Sequence, residues 1–146
     1  MIILENKLNN LKLKALITGA TSGLGKSIAE GFADAGYKVI ATGVGQIPKN
    51  KSNIEFCSLD VLDEASIKKK IEKIDYLNVL INAAGIIVRH KELQPHIFSQ
   101  VVDVNLNGTM RVCSEARSLL SKSKGSIINI ASMLSYFGGG VVPGYS

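Results

Sequence analysis

The stretch Thr18–Gly25, with the sequence Thr-Gly-Ala-Thr-Ser-Gly-Leu-Gly, constrains the fold of this 146-residue chain more than any other. The apolar segment Lys12–Ile17 precedes it and predicts a strand, and Lys26–Ala35 follows it and predicts a helix. The apolar stripe of that helix is Leu24, Ile28 and Phe32. A glycine-rich turn from a strand into a helix is one known way to bind a phosphate.

Each glycine of the turn has a physical role in that interpretation. Gly19 permits the tight turn, Gly23 lets a pyrophosphate approach the backbone, and Gly25 lets the helix pack close to the strand. The N–H groups at the start of the helix then face the anion, and the Thr21 and Ser22 hydroxyls add donors. Alternatively, the stretch is only a capping loop in which Ser22 or Thr21 caps the helix. The glycines alone leave both interpretations open.

Composition predicts one globular domain over residues 1–146, because 46% of the residues are hydrophobic and 20% are charged. No run of eighteen apolar residues predicts a membrane span, and the first residues lack the pattern of a secretory signal. Cys57 and Cys113 lie in apolar segments, which indicates small buried thiols in a reducing compartment and a cytoplasmic protein. We expect no metal site, because His90 and His96 lack ligand spacing.

The formal charge of +5 reflects 17 Lys and Arg against 12 Asp and Glu. Several of the lysines lie in three separated groups, at 49–51, 68–70 and 122–124, without interleaved aromatic residues. This pattern is typical of solvated surface, so we expect no nucleic-acid partner.

Further strands and helices alternate along the chain. Strands are predicted at Tyr37–Thr42, Asn53–Leu59, Leu77–Ile81 and Ser126–Ile130. A helix capped by Asp63 or Ser66 carries Ile67, Ile71 and Ile74, a long helix starts near Pro95, and 131–140 predicts a flexible loop. The second and third strands are joined by a polar loop without a helix. This alternation predicts an α/β fold, a doubly wound, Rossmann-like parallel sheet in three layers.

Ligands of such sheets bind at the carboxyl ends of the strands. The unusual polar and glycine-rich segments all fall at those ends. They are the Thr18–Gly25 turn, Asp60, the turn Asn82–Gly85 and Ser132.

These motifs, in this order, resemble the short-chain dehydrogenase/reductase family. Thr18–Gly25 fits its cofactor turn Thr-Gly-x-x-x-Gly-x-Gly, and Asn82–Gly85 resembles its Asn-Asn-Ala-Gly turn. Asp60-Val61 resembles the pair that holds the adenine, although Asp60 alternatively caps the next helix. Asn105, Ser132 and Tyr145 match the catalytic residues, and Tyr145 follows Ser132 by the usual thirteen positions.

The resemblance implies an oxidoreductase that transfers a hydride between NAD or NADP and an alcohol or ketone. Tyr145 would be the general acid and base, Ser132 would hydrogen-bond the substrate oxygen, and Asn105 would hold a water and lysine network. The implied cofactor-binding residues are Gly19, Thr21, Ser22, Gly23, Leu24, Gly25, Gly43, Asp60, Val61, Asn82, Ala83 and Gly85. The segments 82–89 and 129–135 are similar to sugar-acid dehydrogenases of the gluconate type.

The choice between NAD and NADP depends on the end of the second strand. Gly43 stands there in place of an acidic residue, while Lys49 and Lys51 are near enough in sequence to reach a 2′-phosphate. Both coenzymes therefore remain possible.

The sequence departs from the family pattern at two places. Ala83 replaces the second asparagine of the turn, and the chain ends at Tyr145-Ser146, before the lysine of Tyr-x-x-x-Lys. We therefore expect a truncated dinucleotide-binding domain without its C-terminal strands, inactive as 146 residues. The alternative function is a catalytically inactive nucleotide-binding fragment or module. The apolar stripe Val101, Val112, Ala116 and Leu119 of the long helix predicts a homo-oligomer, a tetramer by the family's example.

Overall fold

The computed structural model describes residues 13–146, in which five parallel strands form one sheet. The strands are β1 (Lys14–Thr18), β2 (Lys38–Gly43), β3 (Ile54–Ser58), β4 (Val79–Asn82) and β5 (Ser126–Asn129). Their spatial order is β3-β2-β1-β4-β5. The predicted strands are confirmed with ends that differ by one or two residues; Lys12 lies outside the described residues.

Helices cover both faces of the sheet. They are α1 (Gly23–Asp34), α2 (Glu64–Ile71), α3 (Pro95–Val102), α4 (Thr109–Ser123) and the short α5 (Leu134–Phe137). Alternate residues of β1 point to opposite faces, as strand geometry requires. Ala15 and Ile17 therefore join the core beneath α1, whereas Leu16 joins the core that includes residues of α2 and α4. The three-layer, doubly wound fold is confirmed.

The connections follow the predicted chemistry closely. Asp63 caps α2, since its carboxylate accepts the Ser66 N–H at 3.0 Å. Gly36 has a φ of 91° after α1, the left-handed conformation that favours glycine at this position. The loop between β2 and β3 contains no helix, as predicted.

The long helix differs from its prediction in one respect. A π-helix, Asp103–Gly108, lies between α3 and α4. The apolar pattern continues across it, because Val101 and Val112 are both fully buried. Sequence periodicity therefore showed one uninterrupted helix where the hydrogen bonding changes.

Three smaller expectations also need correction. Leu24 does not belong to the apolar stripe of α1: it is 62% exposed, while Gly25 and Ala29 face the core instead. Cys57 and Cys113 are half-buried rather than buried, and neither forms a disulfide. Part of the predicted flexible loop after β5 forms α5.

Candidate active site

The strand order reverses direction between β1 and β4, and the turns that follow these two strands pack directly on each other. A Cβ on Gly19 would lie 2.6 Å from the Ala83 carbonyl oxygen and the Ala84 backbone, so only glycine fits there. The buried Thr18 hydroxyl accepts the N–H groups of Ala83 and Ala84, each at 3.2 Å. The turn Asn82–Gly85 is thus fixed at the crevice where such folds bind ligands.

The start of α1 is open towards this crevice. Gly23 has a φ of 51°, and a Cβ there would meet no described atom within 4 Å. Ser22 is the N-cap residue, but its side chain makes no capping hydrogen bond within residues 13–146, so side-chain capping by Ser22 is wrong. A free helix N-terminus beside an open glycine suits a phosphate.

Gly25 sits against the opposite side of the same turn. Its Cβ would lie 2.2 Å from the Gly19 carbonyl oxygen. The close packing predicted for Gly25 is therefore present, although its partner is the turn after β1 rather than the strand.

The carboxyl end of β2 borders a second cleft, of about 410 Å³, lined by Thr21, Ser22, Val44, Gln46 and Pro48. Gly43 makes room for Thr21, whose Oγ1 would lie 2.5 Å from a Cβ on Gly43. All five lining residues are uncharged.

Lys51 does not reach this cleft, contrary to expectation. It pairs instead with Glu30 at 2.6 Å and bridges Ile54, at the start of β3. Because β2 and β3 are parallel, this is the amino end of the sheet, opposite the crevice between the turns that follow β1 and β4.

Asp60 and Val61 follow β3 at the carboxyl edge. Asp60 is exposed, and its Oδ1 accepts the Leu62 N–H at 3.0 Å. The cap of α2 is Asp63, so the helix-capping alternative for Asp60 is wrong. The Val61 side chain is buried in the core, which leaves its backbone as the part suited to a ligand.

One cleft of about 570 Å³ brings the three predicted catalytic residues together. Asn105, Ser132 and Tyr145 all line it, from three different parts of the chain. Leu24 from the Thr18–Gly25 turn lines it as well, as does the turn Asn82–Gly85. The cleft therefore joins the predicted coenzyme-binding and catalytic residues.

Asn105 lies in the π-helix, a deformation that is frequent at functional sites. Its side-chain amide donates to the Ile86 carbonyl at 2.9 Å and accepts the Ile86 N–H at 2.8 Å. Its backbone carbonyl accepts the Thr109 hydroxyl at 2.9 Å. The Asn105 side chain thus fixes the backbone that follows β4.

The hydroxyl oxygen of Ser132 accepts the Leu134 N–H at 3.2 Å, which leaves its hydrogen available for a ligand oxygen. Tyr145 is half-buried, and its N–H donates to Glu92 at 2.8 Å. Glu92 was not predicted as a site residue, although it is only 1% exposed. Its sequence context, in a polar loop, gave no signal of burial.

Asn82 closes β4 with an unusual set of contacts. Its side-chain amide donates to Asn129 Oδ1 at 2.8 Å and to the Cys113 sulfur at 3.2 Å. Its Oδ1 is buried without a hydrogen-bond partner in the described part of the chain. The amide therefore ties β4 to β5 and α4 at the base of the cleft.

Asp103 of the π-helix forms an ion-pair network with Arg111 and Glu64. Hydrogen bonds from the Asn107 amide and then the Arg111 guanidinium lower the pKa of Asp103. Arg111 binds the Asp103 carboxylate at 2.8 Å and Glu64 at 3.1 Å. These contacts join the π-helix to both α4 and α2.

Within residues 13–146, no three His, Cys, Asp or Glu side chains are placed to hold a metal ion. The same residues include no helix with the length and apolarity that crossing a bilayer requires.

A family model described as short chain dehydrogenase matches residues 13–146. The chain is 34% identical to 2-dehydro-3-deoxy-D-gluconate 5-dehydrogenase of Bacillus subtilis, over 90% of this chain and 58% of that protein. It is 33% identical to the 3-oxoacyl-[acyl-carrier-protein] reductase of Aquifex aeolicus, over 85% of this chain and 57% of that protein. The chain thus spans a little over half the length of these two relatives.

The ligand-free structure of Thermoplasma acidophilum aldohexose dehydrogenase is similar in fold. The TM-score is 0.84 at 28% identity, and the match covers 92% of this chain and 55% of that structure. The resemblance inferred from the motifs is therefore confirmed at the level of the family and the fold.

Proposed function

Because the chain belongs to the short-chain dehydrogenase family, we propose that the protein transfers a hydride between NAD or NADP and a hydroxyl or carbonyl substrate. The observation that carries this proposal is the single cleft lined by Asn105, Ser132 and Tyr145 beside the coenzyme turn. Three sequence-distant polar residues meet there, and each has a chemical role that this reaction needs.

The geometry of the crevice fits a dinucleotide. The open backbone at Gly23 and the helix start behind it would hold the pyrophosphate. The second cleft, beside Gly43, would hold the adenosine ribose. Asp60 and the Val61 backbone would hold the adenine. Asn82, Ala83 and Gly85 would border the nicotinamide half. A bound nicotinamide would supply or accept the hydride.

The residues of the chain handle the proton and the developing charge. The Tyr145 phenol would donate a proton to the carbonyl oxygen during reduction and remove it during oxidation. The Ser132 hydroxyl would donate a hydrogen bond to the same oxygen, where charge develops. Asn105 would keep the backbone beyond β4 in place through Ile86.

We further propose a sugar-derived substrate, such as a sugar acid. Two proteins that the chain resembles are named for sugar-derived substrates, the 2-dehydro-3-deoxy-D-gluconate 5-dehydrogenase of Bacillus subtilis and the aldohexose dehydrogenase of Thermoplasma acidophilum. A 3-oxoacyl-[acyl-carrier-protein] reductase is also similar, so the panel of substrates must include both classes.

We also propose a homo-oligomer, a tetramer in the complete protein. The stripe on which that expectation rested does not support it, because Val101, Val112 and Ala116 are buried and Leu119 packs against the core. Support comes instead from three exposed apolar side chains on α3, the π-helix and α4. They are Phe98, Leu106 and Met110.

The test uses the protein with whatever residues its gene encodes on either side of this sequence. Binding of NAD and NADP is measured by calorimetry, and turnover by reduced-nicotinamide absorbance with sugar acids, aldoses, simple ketones and acyl substrates. Tyr145→Phe and Ser132→Ala should lower turnover at least about 100-fold, whereas Tyr136→Phe, at an 89% exposed residue, should not. Coenzyme binding without turnover would favour the nucleotide-binding module. The absence of both binding and turnover would refute the proposal.

A further inference from the structure

Glu92 is a buried carboxylate with two backbone partners far apart in sequence. Its side chain is 1% exposed. Oε1 accepts the Val88 N–H at 2.7 Å within its own loop, and Oε2 accepts the Tyr145 N–H at 2.8 Å, across 53 residues. A buried carboxylate is costly unless hydrogen-bonded, so this arrangement depends on both N–H groups.

Tyr145 lies in a turn that cannot cap itself. The Ser146 N–H donates to the Val142 carbonyl at 3.0 Å, which is the spacing of one α-helical turn. The first N–H groups of such a turn need an outside acceptor, usually the side chain of the residue that opens it. Val142 has no polar side-chain atom, and the Glu92 carboxylate accepts the Tyr145 N–H instead.

The packing around this contact leaves little freedom. A Cβ on Gly144 would lie 3.3 Å from Glu92 Oε2, so the backbone passes close to the carboxylate. The His90 N–H donates to the Val141 carbonyl at 3.0 Å, and Val142 is 1% exposed. The loop 88–92 and the segment 141–146 are therefore joined by two hydrogen bonds, His90–Val141 and Glu92–Tyr145.

The same loop is also held from the other side of the cleft. The Asn105 amide fixes both backbone groups of Ile86, and Val88 follows two residues later. A connected path thus runs from Asn105 through the loop to Glu92 and Tyr145.

We propose that Glu92 is a positioning residue that sets the place of Tyr145 in the active site. It acts through the Tyr145 backbone, and the inference rests on the proposed function for its catalytic consequence. Its geometric consequence, a fixed Tyr145 backbone, holds whatever the substrate is.

The first test measures geometry without catalysis. Glu92→Leu has a similar size but no acceptor oxygen, so it accepts from neither backbone N–H. Amide hydrogen exchange at Tyr145 should accelerate at least about tenfold, as expected for the loss of one charge-assisted hydrogen bond. Glu115→Leu, at an exposed residue of α4, is the matched control and should leave that exchange unchanged.

The second test measures catalysis in the complete gene product. Glu92→Leu should lower kcat about 10- to 100-fold, a part of what a positioned proton donor contributes. The dissociation constant of the reduced coenzyme should stay within about twofold of the wild-type value, since Glu92 lies outside the Thr18–Gly25 turn. A general loss of folding would change both kcat and the dissociation constant. Should Glu92→Leu fail to fold, Glu92→Ala replaces it, because it also lacks an acceptor and adds no bulk.

The outcomes separate the two proposals. Wild-type exchange at Tyr145 in the variant overturns the role of Glu92, whatever the kinetics. Faster exchange with unchanged kcat overturns its catalytic consequence, while hydride transfer by the wild type still supports the proposed function. A wild type that neither binds nor turns over nicotinamide refutes the proposed function, and the exchange measurement alone then decides whether Glu92 holds Tyr145.

Discussion

The side-chain amide of Asn105 forms hydrogen bonds with both backbone groups of Ile86, to the carbonyl at 2.9 Å and from the N–H at 2.8 Å. The two residues are 19 positions apart, one in the π-helix and one in the loop after β4. An amide is the side chain that satisfies both a donor and an acceptor of one residue. This pairing makes Asn105 a structural support of the cleft that it lines.

Replacing Asn105 with alanine should destabilise the protein by about 1–3 kcal/mol, the net contribution of two hydrogen bonds. Urea unfolding monitored by circular dichroism measures the difference. Gln100→Ala, which removes an exposed amide from α3, should change stability by less than about 0.5 kcal/mol. Equal stability of the Asn105 variant and the wild type would show that the Ile86 contacts contribute nothing.

Replacing Gly23 with valine should weaken coenzyme binding at least tenfold, about 1.4 kcal/mol, because the open backbone would be covered. Calorimetric titration with NAD and NADP gives the affinities. Gly36→Val is the matched control, since Gly36 also has a positive φ and open surroundings but lies at the other end of α1. Both variants should lose stability through backbone strain, and only the first should lose affinity; equal affinities would contradict the phosphate site.

Replacing Gly25 with alanine should destabilise the fold by about 1–3 kcal/mol, the usual cost of overpacking. The added Cβ would lie 2.2 Å from the Gly19 carbonyl oxygen, a backbone atom that cannot rotate away. Gly31 lies in the same helix, and a Cβ added there would meet no described atom within 4 Å. Gly31→Ala should therefore be neutral or stabilising, by up to about 1 kcal/mol. Thermal or urea unfolding that ranks the two variants in reverse order would refute this packing argument.

Arg111→Met should lower the melting temperature at neutral pH, and the difference from wild type should shrink in acid. The folded-state pKa of Asp103 lies below its usual value of 3.8, through Asn107 first and Arg111 second. A carboxylate whose pKa is lowered by folding stabilises the protein at pH values above its pKa in the unfolded state. This stabilisation is lost as the pH falls through its pKa in the folded state. The difference should therefore be constant from about pH 7 to 5 and decline below about 3.8. A constant difference down to pH 2.5 in calorimetric scans would disprove the role of this pair.

The proposed homo-oligomer predicts a mass above that of one chain in light scattering at micromolar concentration. Met110→Lys should shift the protein towards the monomer, because a charge would enter the apolar contact. Lys69→Met, at an exposed residue of α2, should leave the mass unchanged. A monomeric wild type would rule out the assembly.

The layout of the fold was predictable from local sequence. Apolar runs such as Leu77–Ile81, separated by helical patterns, specified parallel strands, and the glycine spacing of Thr18–Gly25 specified the turn. These signals are local, since strand and helix periodicity depend on which neighbouring residues share a face. The order of the motifs likewise indicated Asn105, Ser132 and Tyr145, and the fold places all three at one cleft.

The errors at Leu24 and Lys51 share a cause. Leu24 has the spacing of a core residue, but the close packing of Gly25 on Gly19 rotates α1 so that Leu24 faces the cleft. Lys51 is near Gly43 in sequence, yet the return of the chain into β3 carries it to the opposite edge of the sheet. In both cases a contact outside the local pattern decides where a side chain points.

The sequence by itself determined most of the strands and helices, the parallel sheet and the glycine-rich turn, because each depends on residues adjacent in the chain. The candidate catalytic residues came from the family resemblance of the ordered motifs. Only the tertiary structure decided that Asn105 lies in a π-helix bound to Ile86, and that Glu92 is buried against Tyr145. A polar residue in a loop has no periodicity to reveal its partner. Its burial depends on which segment the fold brings against it, here one 53 positions away.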